Sequence, residues 1–60
     1  MCEVTITLKD SERTYKKKFL VYEKFMFDIS DDLIQRLLEE TRQEFNGEIT
    51  DCKIVGVITE

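Results

Sequence analysis

Sixty residues, 42% apolar and 37% charged, with a net charge of −4, two cysteines and no histidine, set narrow bounds. A chain of that length sits near the lower limit for folding alone, hiding only about 60% of the surface its unfolded form exposes. The apolar content argues against disorder, two thiols without histidine fall short of a zinc site, and no run approaches the roughly 18 residues of a membrane span.

Zero prolines and two glycines leave no linker, so residues 1–60 are expected to form a single compact domain. Domains this small lean on disulfides, a metal or oligomerisation. Met1-Cys2-Glu3 does not open a signal peptide, since no apolar run follows a basic start. The chain is therefore expected in the cytoplasm with reduced thiols, Cys2 and Cys52 serving as small buried hydrophobes on strands. With disulfide, metal and cofactor set aside, oligomerisation remains as the stabilising device.

Along the chain, Cys2 to Lys9 alternates apolar and polar residues without an error and predicts a half-buried strand. Asp10-Ser11-Glu12-Arg13 supplies a polar turn, and Thr14 to at least Tyr22 reads as the returning strand. Pairing Asp10 opposite Arg13 gathers Cys2, Val4, Ile6, Leu8, Tyr15, Phe19 and Val21 on one face, with Lys17 as the discordant member. Glu3, Thr5, Thr7, Lys9, Thr14, Lys16, Lys18, Leu20 and Tyr22 fall on the other. The stretch from Phe19 to Phe27 holds seven apolar residues in nine, more than one core face requires. Glu23-Lys24 permits a bend, after which Phe25 to Phe27 lead toward a helix, either as partner surface or as a wrap around the helix end.

Asp28-Ile29-Ser30-Asp31-Asp32 is rich in helix-starting residues. Leu33, Ile34, Leu37, Leu38, Thr41 and Phe45 then recur at three-and-four spacing. The spacing predicts an amphipathic helix from about Ser30 to about Asn46, stopped by Gly47 in a left-handed conformation. Cys52 to Ile58 predicts a last strand, apolar on both faces from Ile54 to Ile58, with Gly56 marking a bulge or a close approach. Either Ile54 and Ile58 or Val55 and Val57 must point away from the helix. The expected fold is α+β, ββαβ: a three-stranded, mainly antiparallel sheet with one helix on one face.

Chemistry finds little foothold in this pattern. Without histidine, and with acidic residues on the exposed side of a helix, neither a nucleophile–base pair nor a metal centre is expected. Asp31 and Asp32 fit helix capping, while Glu39 and Glu40 fall within reach of Arg42 and Arg36 along the helix. The expectation is a protein that is not an enzyme and has no cofactor. Residues 1–27 carry six basic and four acidic groups, whereas residues 28–60 carry three and nine. Such asymmetry can mark partner surfaces.

Three surfaces are candidates. Surplus apolar residues Leu20, Tyr22, Phe25, Phe27, Val55 and Val57 point to an isologous dimer or a protein partner. Acidic Asp31, Asp32, Glu39, Glu40 and Glu44 could meet a basic partner by imitating a phosphate backbone. Arg13, Lys16, Lys18 and Lys24, among aromatics, offer nucleic-acid contact as the second choice. The expected function is a small homodimer that binds and modulates or inhibits a larger protein, a class of product common among phages and mobile elements.

Overall fold

The computed structural model describes residues 1–59. Strand β1 (Cys2–Lys9) is followed by β2 (Thr14–Val21), a 3-10 turn (Met26–Asp28), helix α1 (Asp31–Phe45) and β3 (Asp51–Ile58). The sheet order is β2-β1-β3 and both pairings are antiparallel. The ββαβ architecture is the one the alternation and periodicity predict.

The hairpin register also follows from the sequence: Cys2 lies opposite Val21, and the ladder continues to Lys9 opposite Thr14. Its turn is fastened by Asp10, whose Oδ1 accepts the backbone N–H groups of Glu12 and Arg13, each at 2.7 Å. These two amides hold the Asp10 carboxyl below its ordinary range. The alternation of β1 then sends Cys2, Val4, Ile6 and Leu8 under the helix, where all four are fully buried. Phe45, Val21 and Ile29 complete the core, and Tyr15, Phe19, Leu33, Ile34, Leu37 and Leu38 pack around it half-buried. Burying each such aliphatic side chain is worth roughly 1.5–3 kcal/mol. Thr41 is buried too, and its hydroxyl donates to the Leu37 carbonyl at 2.8 Å, so that hydroxyl is not stranded.

Helix α1 starts where its caps allow. The Ser30 hydroxyl accepts the Leu33 amide, and Asp31 and Asp32 occupy the first turn, at the positive end of the helix dipole. Its end differs from expectation. Asn46, at φ 50° and ψ 54°, takes the left-handed conformation, and Gly47 does not. Asparagine tolerates that region because its short polar side chain bonds locally. The Arg13 guanidinium lies 4.1 Å from the centre of the Phe45 ring and donates to the Phe45 carbonyl, placing a cation at the helix C-terminus.

β3 departs from the expected picture in three ways. Its register against β1 is unbroken, with Gly56 opposite Val4, so no bulge forms there. Instead Gly56 admits a close approach: a Cβ at that position would overlap Sδ and Cε of Met26. The second departure is burial, for all eight residues of β3 are exposed. α1 packs on β1 and β2, while the 3-10 turn is the element packed on β3. Between Leu38 and Arg42 on one side and Ile49 and Cys52 on the other lies a cleft of about 230 Å³.

The third concerns the thiols. Cys2 is buried as expected, but Cys52 is exposed because the helix stops short of its strand. Cys2 pairs with Ile58 and Cys52 with Leu8, at opposite ends of β1. That separation is about 20 Å at the strand rise, far beyond the span of a disulfide. No helix among the described residues is long and apolar enough to cross a membrane.

Candidate interaction surfaces

The two registers arrange the open sheet face in rows across β2, β1 and β3: Thr14–Lys9–Asp51, Lys16–Thr7–Lys53, Lys18–Thr5–Val55 and Leu20–Glu3–Val57. This parity settles which apolar residues of β3 face away from the helix. Val55 and Val57 do, and they share that face with Leu20, from which Glu3 on β1 separates Val57; their exposures are 41%, 53% and 57%. Ile54 and Ile58 sit on the helix side yet remain exposed, because α1 packs on β1 and β2 and only the short 3-10 turn, through Met26 on Gly56, rests on this side of β3. Tyr22, just past β2, is 82% exposed.

Of the residues leading to the helix, Met26 turns inward onto Gly56 and Ile29 is buried. Phe25 and Phe27 turn outward and stack on each other, ring centres 5.2 Å apart and nearly parallel. The wrap and the partner surface are thus divided between neighbouring residues. The structure brings Leu20, Val55 and Val57 together on one face and places Phe25 and Phe27 on the turn that meets β3 from the other.

The basic residues separate in the same manner. Lys9, Lys16 and Lys18 share the open face as the hairpin register predicts, and the β1–β3 register adds Lys53, which sequence reasoning did not group with them. The only signal for Lys53 is its parity with Val55. Arg13 is occupied at the end of α1 and by Asp10 at 3.3 Å, and Lys24 lies 5.5 Å from the centre of the Phe25 ring.

Among the acidic residues, Asp31, Asp32 and Glu39 stand exposed on α1. The expected pairing of Glu39 and Glu40 with Arg42 and Arg36 is absent among the described residues. Glu40 and Glu44 reach across to β2 instead, with Lys17 Nζ at 3.7 and 2.5 Å. Tyr15 donates its hydroxyl to the other Glu44 oxygen at 2.9 Å. This explains the discordant lysine in the hairpin: Lys17 faces the helix to meet carboxylates and lies over the Phe19 ring. The Lys17 ammonium, then the Tyr15 hydroxyl, hold the Glu44 carboxyl below its ordinary range, and Glu44 in turn raises both partners.

The outer edge of β3 is the last surface. Thr59 donates its amide to the Met1 carbonyl at 2.9 Å in the register that pairs Cys2 with Ile58. Hydrogen-bonded and non-bonded pairs alternate along an antiparallel ladder. The amides of Cys52, Ile54, Gly56 and Ile58 therefore point to the open edge. Cys52 turns its amide onto Asp51 Oδ1 at 2.9 Å. The other three lie in an apolar stretch without the proline, charge or bulge that usually guards an edge. The opposite edge, β2, carries three consecutive lysines.

Among the described residues no group of three or more Cys, Asp or Glu side chains could hold a metal ion. Compared with protein-family models, curated proteins and solved structures, the chain matches none.

Proposed function

We propose that the chain is a small, non-catalytic protein-binding module that self-associates through β3 and binds, and thereby modulates or inhibits, a larger cytoplasmic protein. One observation carries this reading: β3 is an edge strand exposed along its whole length and apolar on both faces between Ile54 and Ile58. Water is a poor neighbour for such a strand, and a second strand laid against its free amides would shelter side chains on both faces.

Sedimentation equilibrium at micromolar concentration tests the self-association. A dimer is expected, and a species of 7.2 kDa at every concentration would sink the reading. Ile54→Pro is the informative variant, because the Ile54 amide points outward and its loss removes no bond to β1. It is expected to leave a folded monomer. Amide exchange adds a site-resolved check, with Ile54, Gly56 and Ile58 protected only when the protein associates. For the larger partner, capture from native lysate with wild type and with Val55→Lys/Val57→Lys should show a protein retained by the first and lost by the second.

A further inference from the structure

The open sheet face carries a second feature, separate from the apolar end. Lys16 and Lys53 flank Thr7 in one row, and Lys9 lies one row along the central strand. Their Cα atoms are about 10 Å apart across the sheet and about 7 Å along it. Together with Thr5, Asp51 and Val55 they line a shallow depression of about 340 Å³ over the sheet centre, three cations against one carboxylate. Of the carboxylates on this face, Glu3 lies 3.8 Å from Lys18, and Asp51, at the rim, accepts the Cys52 amide and keeps its charge, leaving the depression a balance of two positive charges. Lys9, Lys16 and Lys53 enter no ion pair among the described residues.

We propose that this lysine-lined face binds the phosphate backbone of double-stranded nucleic acid without reading its sequence. Three features select that ligand. The cations are lysines, compact point charges that bind phosphate without the fixed bidentate geometry an arginine fork would impose, which suits a backbone held without sequence readout. No aromatic ring lies among the lysine rows, since Tyr15 and Phe19 point to the helix and Tyr22 lies past the far end of β2, so unpaired bases find no stacking platform beside these lysines. The face is open and about 26 Å long at the strand rise, and a duplex offers it the denser line of charge. The acidic helix lies on the far side of the sheet. From there it acts across more than the ~10 Å screening length at 0.1 M salt.

The test is fluorescence anisotropy with labelled duplexes of unrelated sequence and with matching single strands. Micromolar to tenth-millimolar affinity for every duplex is the expected range for such contacts. Neutralising three phosphates predicts a loss of about 40-fold between about 50 and 200 mM salt. Lys16→Glu/Lys53→Glu should abolish binding and Lys16→Gln/Lys53→Gln should weaken it. Lys24→Glu, away from the face, should leave it unchanged. Circular dichroism shows whether each variant is folded, and the glutamine pair stands in if the glutamate pair is not. Absence of duplex binding at low salt overturns the proposal, as does binding that survives both lysine variants. Tighter binding of single strands, or equal displacement by polyglutamate, overturns it too, the latter marking a surface for acidic proteins. Self-association through β3 can fail or hold without altering these outcomes.

Discussion

β1 and β3 are both eight residues long, antiparallel to each other and rich in β-branched residues, yet their fates are opposite. Ile6 and Ile54 are cross-strand partners on the helix side of the sheet; the first is fully buried and the second 41% exposed. Composition does not distinguish them. Position does: β1 has a strand on each side and a helix above, whereas β3 has one strand and a single turn. An apolar strand at the edge, beyond the reach of the helix, is left exposed, which is the feature the proposed self-association rests on.

The largest test of this contrast truncates the partners in turn. Ile6→Ala should cost about 2–5 kcal/mol, the range for a core cavity. Ile54→Ala should cost less than about 1 kcal/mol in the monomer, since exposed positions seldom cost more. Urea denaturation at low protein concentration measures both. Similar losses would show that β3 shares the core and would break the comparison.

Gly56→Ala sharpens it at the one point where β3 is packed. The new methyl must displace Met26, and overpacking of this kind costs about 1–3 kcal/mol. Pairing it with Met26→Ala should recover part of that loss, a coupling that a double-mutant cycle would measure. Strict additivity would mean that the thioether does not rest on the glycine.

The smallest effect concerns the side of the sheet that the helix does cover. Glu44 has its pKa lowered in the folded protein, so its stabilisation is present above the ordinary value of 4.5 and is lost as pH falls through the folded value. Lys17 and Tyr15 are raised, so their contributions are complete below their ordinary values of 10.5 and 10.0 and are lost as pH rises through the folded ones. Glu44→Gln should therefore lower Tm slightly at neutral pH and flatten the acid limb of a Tm-against-pH profile. An unchanged acid limb would show that the clamp contributes nothing to stability.

Much of the fold was legible because local patterns and tertiary structure agree. The perfect alternation of β1, the Asp10 turn and the spacing from Leu33 to Phe45 each specify one element and one face. Lys17 looked like an error because its carboxylate partners lie on a helix more than twenty residues away. The identity of the left-handed residue was missed because Asn46 and Gly47 both tolerate that conformation. For β3, a strand apolar on both faces offers no periodicity from which to choose a side. Pairing with β1 supplied the choice, placing Val55 and Val57 with Leu20 and drawing Lys53 toward Lys16. How far a helix extends over a sheet is not written in either element, so the exposure of Ile54, Ile58 and Cys52 could not be read in advance.

The alternation of amides along β3 has a geometric consequence for any pairing of that strand with its own copy. Antiparallel partners related by a two-fold axis must stand opposite residues of the same parity, so both helices fall on one side of a continuous six-stranded sheet. With α1 over β1 and β2 in each copy, the helix axes would be separated by about four strand spacings, roughly 19 Å. Packed helices approach to about 8–10 Å. The 3-10 turn of each chain, with Met26 on Gly56, lies in that interval beside Ile54 and Ile58, so dimerisation would bring both turns and four isoleucines into one apolar seam between the helices.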